Sequence, residues 1–205
     1  NRLEKVGRNP NYLSSVVLQK RRLFISTDIN EIVKKADVIV LAIPTAFLDL
    51  ELKKITSNLA DKIIVSAVKG VIPETLQIVG PYLNEHFSVP IENIAVIAGP
   101  SHAEEVAMDK LSYLTIACTD TKKAEFIATL LKTSYVRTAV SNDIIGTEYA
   151  AMLKNIYAIA AGIAHGLGYG DNFQSVLMSN AIREMKRYIR NVHKLKRNIN
   201  NSAYL

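Results

Sequence analysis

Apolar positions follow two rhythms along the chain. In "ADVIVLAIP" (Ala36 to Pro44), "KIIVSAVKG" (Lys62 to Gly70) and "IAVIAGPS" (Ile94 to Ser101) the runs are short, rich in β-branched residues and apolar at odd and even positions alike. That is the pattern of parallel strands covered on both faces by helices. Between the runs the apolar spacing lengthens to three or four. "DINEIVKKA" opens with Asp28 as an N-cap and Glu31 three residues later, and "TAFLDLELKKI" repeats the helical spacing. Further strands are predicted at "SYLTIAC" (Ser112 to Cys118) and "SYVRTAV" (Ser134 to Val140), with a helix at "TKKAEFIATLLK" between them.

This alternation predicts an α/β fold built on a Rossmann-like, mostly parallel sheet. After about Asn142 the strand rhythm stops, and "DIIGTEYAAMLKNIYAIAAGIAHGLG" and "NFQSVLMSNAIREMKRYIRNV" read as two successive long helices. A boundary is therefore expected between a sheet domain, 1–141, and the start of an all-helical domain, 142–205. The dinucleotide fingerprint G-x-G-x-x-G is absent. Its nearest match, "GLGYGD", follows a helix and reads as that helix's C-terminus, with Asp171 starting the next one. The strands begin at once, so the first strand and turn of the sheet are expected to be missing. The closing "NNSAYL" carries neither a helix stop nor a final strand, as a cut chain would.

Composition narrows the picture. With 205 residues, 49% of them hydrophobic and 21% charged, the chain can bury a core and does not read as disordered. One cysteine, Cys118, allows no intramolecular disulfide, and no apolar leader precedes a cleavage site, which points to a reducing cytosol. The weakly polar run Ile156 to Leu167 is too short to span a bilayer. The net charge of +6 owes much to Lys186, Arg187, Arg190, Lys194, Lys196 and Arg197. No aromatic stacking pattern accompanies them, so a solvated helix face is favoured over an anion site, and either over nucleic acid.

Three constellations could carry chemistry. Lys69 follows a strand and precedes a turn glycine, where ligands gather in open parallel sheets; it could meet an anionic substrate or be a loop lysine. In "AGPSHAEEVA", Ser101 and Glu104 have the spacing of a capping box, compatible with a purely structural role or with an anion at the helix start. Lys154 has small or apolar neighbours at helical spacing, Ala150, Ala151, Tyr157 and Ala158, with Ala161 and Gly162 beyond. Such a lysine must snorkel, pair or face a cleft, and partial desolvation would favour the neutral amine that a general base requires. His102 and His165 lack partners at metal-ligand spacing, so no metal is expected.

In this order and at these separations, "AVKG", "AGPSHAEEVA" and "MLKNIYAIAAGIAHGLGYGDN" resemble the central part of the NAD(P)-dependent sn-glycerol-3-phosphate dehydrogenases. "NPNYL" and "VIVLAIPTAFL" are similar to that family's cofactor domain, so the likeness spans essentially the whole chain. The resemblance implies a cofactor, NAD or NADP, and a small phosphate substrate. It implies reversible reduction of dihydroxyacetone phosphate, supplying glycerol phosphate for phospholipid synthesis. Matched position by position, it assigns proton exchange to Lys154, substrate binding to Lys69, Gly99 and Ser101, and cofactor contacts to Lys69, Ala103 and Tyr12. The family's glycine-rich turn would precede Asn1, and its Gly-Asp-Leu and Ser-Arg-Asn motifs would follow Leu205, so the isolated segment is expected to be inactive. A related hydroxy-acid dehydrogenase and a noncatalytic fragment are the alternatives. Oligomeric state stays open, with a homodimer among the candidates.

Overall fold

The five strands stand side by side in chain order: β1 (Val38–Leu41), β2 (Ile63–Ser66), β3 (Ile94–Ala98), β4 (Ser112–Cys118) and β5 (Val136–Ser141). They belong to a computed structural model that describes residues 2–9, 11–13 and 15–193. The first three strands pair in parallel, with Val38 opposite Ile63 and Ile64 opposite Ile94. The crossovers between them contain α3 (Thr45–Leu52) and α4 (Val79–Phe87). β3 to β4 is the antiparallel exception, with Ala98 opposite Thr115, and β4 to β5 is parallel again. The link from β3 to β4 contains only α5 (Ala103–Ala107), which at 1.5 Å per residue is too short to carry the chain back along the strand.

Alternation along each strand sorts the core into two layers. On one face Ile64 and Ile94 pack with Leu48 and Leu52 of α3 and with Val79, Tyr82 and Leu83 of α4. On the other, Val65, Ala95 and Ile116 pack with Ala124, Ile127 and Ala128 of α6 (Thr121–Leu131). The edge strand β1 departs from the expectation of full burial, because Val40 is exposed while Ile39 and Leu41 reach the core. Ahead of it, after a short α1 (Arg2–Val6), Asp28 caps α2 (Ile29–Lys35) as the sequence predicts, accepting from Asn30 N–H at 2.9 Å. Glu31 does not answer it; Asp28 N–H bonds Ser26 Oγ at 3.0 Å, and Glu31 pairs with Lys35 at 3.6 Å.

Two long helices follow, α7 (Ile144–Gly166) and α8 (Asp171–His193), joined by a turn in which Gly168 takes φ +83°. Asp143 caps α7, accepting from Gly146 N–H at 2.9 Å, while Thr147 Oγ1 donates to its carbonyl at 2.7 Å. The first half of α7 packs on β3, β4 and α4, burying Ile144 against Val96 and Ala117. Beyond Leu153 the helix leaves the sheet. Ile156, Ile159 and Ile163 are exposed although the run around them is largely apolar. Among the described residues no helix is long and apolar enough to cross a membrane.

Candidate functional site

The parallel strands β1, β2 and β3 end on one edge of the sheet, the edge at which ligands bind in open α/β folds. After β2 the chain passes through Ala67 and Val68 to an exposed Lys69, then turns at Gly70, whose φ of +115° favours glycine. The loop closes on itself where Ile72 N–H meets Gln77 O at 2.8 Å and Val71 bridges to Ile78. Its apolar side chains Val71 and Ile78 pack against Tyr149, Ala150 and Leu153 of α7. That packing carries Lys69 toward Lys154.

Lys154 is half-buried on α7 and lines a pocket of about 310 Å³ with Asn155, Tyr157, Met178 and Ile182. Burial, and then repulsion from Lys69, hold its ammonium below the ordinary lysine range. The neutral amine is correspondingly easier to form. Tyr157, in the same pocket, is pushed the other way, up to about 12, by burial and by its hydrogen bond with Glu184. Its phenol therefore stays protonated where Lys154 can release a proton.

The remaining sequence-predicted residues do not line the Lys154 pocket. Gly99 sits at φ +131°, and a Cβ there would collide with the carbonyl oxygen of Tyr113 on β4, so the backbone itself demands glycine. It borders a pocket of about 450 Å³ with Tyr113, Thr115 and Arg137. Ser101 and Ala103 border a third pocket, about 510 Å³, together with Leu13 and Val16. Tyr12, beside Leu13, is 73% exposed, its N–H bonded to Asn9 Oδ1 at 3.3 Å. The charge of Lys69 thus acts on Lys154, whereas Gly99, Ser101 and Ala103 line other pockets past the end of β3 and Tyr12 is exposed beside one of them. Lys194, Lys196 and Arg197 of the basic run, and the closing "NNSAYL", lie outside the described residues.

The capping box in "AGPSHAEEVA" is corrected. The N-cap of α5 is His102, no side chain caps it, and Glu104 falls in the first turn. The helix starts one residue later than a Ser101 cap requires. Glu148, in contrast, escaped the sequence reading. It is a carboxylate buried on α7, and Gly80 N–H at the start of α4 donates to its two oxygens at 3.1 and 3.2 Å. Burial pushes its carboxyl up to about 8 against the pull of the Gly80 and Val79 N–H groups. The signal that could have found it is the one that drew attention to Lys154, a charge set in an apolar helix.

A mostly parallel Rossmann-type sheet feeding a long helix pair, with an exposed lysine past β2 and a half-buried one on α7, defines a class of α/β fold built around a ligand edge. The models of the N-terminus and the C-terminus of NAD-dependent glycerol-3-phosphate dehydrogenase match residues 1–124 and 143–205. The chain belongs to that family. It is 38% identical over 184 residues to the glycerol-3-phosphate dehydrogenase [NAD(P)+] of Latilactobacillus sakei subsp. sakei strain 23K, covering 87% of this chain and 54% of the relative. To the enzyme of the same name from Lysinibacillus sphaericus strain C3-41 it is 34% identical over 187 residues, covering 90% and 55%. A glycerol-3-phosphate dehydrogenase structure from Plasmodium falciparum superposes with a TM-score of 0.85 at 22% identity, over 96% of this chain and 55% of that one, which establishes the shared fold. The chain spans about half the length of the curated relatives it matches.

Proposed function

We propose that this chain supplies the central part of a dehydrogenase that interconverts dihydroxyacetone phosphate and sn-glycerol 3-phosphate with NAD or NADP, and that Lys154 exchanges the proton. The observation that carries this reading is Lys154 itself, half-buried in a pocket of about 310 Å³ on the helix against which the loop bearing Lys69 packs. In this reading residues 1–141 form the cofactor domain and 142–205 begin the substrate domain. The division coincides with the change from strands to long helices and with the gap between the two family matches. The cytosol is its expected location and phospholipid synthesis the expected use of its product.

A dinucleotide fits this edge. Lys69 stands exposed just past β2 and Ala103 just past β3, Tyr12 is exposed beside the pocket that Ala103 lines, and the positive-φ turns at Gly70 and Gly99 keep the backbone free of Cβ atoms at two strand ends. The chemistry a bound nicotinamide supplies is hydride transfer. The rest falls to the protein. Lys69, charged and exposed, orients the anionic substrate and offsets negative charge growing on its carbonyl oxygen. Lys154 Nζ donates a proton to that oxygen during reduction and takes it from the hydroxyl during oxidation; its lowered proton affinity makes the neutral amine that the second step needs easier to form. Gly99 and Ser101 contribute backbone and hydroxyl groups to the substrate's surroundings.

The test is reduction of dihydroxyacetone phosphate with NADH and with NADPH by the chain extended to the length of its relatives. Lys154→Ala should lower kcat by about two to four orders of magnitude, the range for loss of a general acid or base. Lys154→Arg should not restore it, because a guanidinium stays protonated. Turnover near the parent level in either variant would remove Lys154 from the chemistry.

A further inference from the structure

Lys69 and Lys154 belong to different elements, and two like charges do not approach unless something holds those elements together. Lys69 lies on the loop that leads into α4; Lys154 lies on α7. Packing of Val71 and Ile78 against Tyr149, Ala150 and Leu153 supplies apolar contact between the two, which is non-directional and tolerates sliding. A directional contact sits beside it. Glu148, six residues before Lys154, accepts from Gly80 N–H at the first turn of α4, and the close approach leaves no room on that side. A Cβ at Gly80 would lie 3.0 Å from Glu148 Oε2 and 3.2 Å from Ile144 Cγ2.

We propose that Glu148 is a positioning residue: its buried carboxyl group pins the start of α4 to α7 and thereby fixes the separation of Lys69 from Lys154. The path from the pin to Lys69 is short and braced. Gly80 follows Val79 and Ile78, Ile78 bridges to Val71, and Val71 stands two residues from Lys69. Leu76 N–H closes the intervening turn on Ile72 O at 2.7 Å.

The groups facing Glu148 from α4 are the backbone N–H groups of Gly80 and Val79; on α7 its neighbour Tyr149 feels its charge, and the ring of Tyr188 on α8 lies tilted at 60° to that of Tyr149, centroids 5.9 Å apart. Around Lys154 the loop contributes Lys69, while Glu184 and Arg187 of α8 act on Tyr157. Glu148 acts on α4 by accepting from the backbone N–H of Gly80, so the influence proposed here runs through geometry. A neutral side chain of the same shape should therefore serve as well.

The inference rests on the catalytic reading of the two lysines, but its test does not need turnover. In the chain extended to the length of its relatives, lysines carrying 13C-methyl groups are titrated by NMR, and the Lys154 signal is assigned by its loss in Lys154→Arg. Glu148→Ala should move the Lys154 titration upward toward the ordinary lysine value, as Lys69 drifts away and water enters. Glu148→Gln, which keeps an acceptor oxygen for Gly80 N–H, should leave it where the parent has it. Gly80→Ala, a gentler wedge in the same contact, should move it the same way as Glu148→Ala and carries the test if that variant does not fold. An unmoved Lys154 in both Glu148→Ala and Gly80→Ala overturns the proposal, and so does a Glu148→Gln that behaves like Glu148→Ala. If the titrations follow the expected order while the parent chain reduces no dihydroxyacetone phosphate, the pin stands and the dehydrogenase reading falls.

Discussion

The sheet and the helix α7 have similarly apolar sequences and bury them to very different depths. Ile64, Val65, Ile94, Ala95 and Ile116 are at most 1% exposed, whereas Ile159 on α7 is 66% exposed. Within α7 the change falls between Leu153, 9% exposed, and Ile156, 59% exposed. An apolar sequence permits burial; the neighbours decide it. Strands alternate between two covered faces, so nearly every apolar residue in the sheet's centre finds a partner. Along β3, β4 and α4 the helix is covered by the sheet; beyond them it packs with α8 while Ile156, Ile159 and Ile163 stay exposed. Lys154 stands at the point where the helix leaves the sheet, where a cation keeps some water and loses the rest.

The largest effect that would break this contrast is a cavity. Ile116→Ala should cost roughly 2–5 kcal/mol, because the packed sheet cannot close over the lost atoms, while Ile159→Ala should change stability by no more than about 0.5 kcal/mol. Denaturant unfolding of the two variants measures the difference, and equal costs would contradict the burial described above.

The next effect sharpens the comparison at the junction. Glu148 holds its proton more tightly in the folded chain, at about 8, than at the ordinary 4.5. Its contribution to stability is therefore fully present below the unfolded value and is lost as pH rises through the folded one. At roughly 1.4 kcal/mol per unit, the parent should lose on the order of a few kcal/mol across that window relative to Glu148→Gln. Parallel stability profiles for the two proteins would show that this carboxyl is not buried as described. The smallest effect is at α5, where Ser101 caps nothing: Ser101→Ala should leave the melting temperature within the scatter of surface substitutions, about 0.5 kcal/mol. A loss of a full cap's worth, about 1 kcal/mol, would restore the capping box.

Much of this architecture is legible in the residues. The five strands, the helix at Asp28, the turn in "GLGYGD" and the start of α8 at Asp171 follow from local periodicity and turn chemistry, which need no knowledge of distant partners. Lys154 stands out for the same reason, as a charge out of pattern. What escaped depends on contacts between distant segments. The half-exposure of α7 depends on where the sheet ends. The need for glycine at Gly99 comes from the carbonyl of Tyr113 on a neighbouring strand, and the role of Glu148 comes from Gly80 on another helix. The Ser101 spacing misled because S-x-x-E marks a cap only if the helix begins at the next residue, and α5 begins later.

In the proposed reaction Lys154 depends on losing proton affinity through partial burial and through the charge of Lys69. The direct measurement is the titration of the Lys154 amine by NMR in the parent chain and in Lys69→Met, which removes the charge and keeps a comparable apolar stem. The parent should titrate below the ordinary lysine value, and Lys69→Met should move it upward, with a smaller depression remaining from burial. A Lys154 that titrates at the ordinary value in the parent and does not respond to Lys69→Met would mean that the two lysines do not share a site.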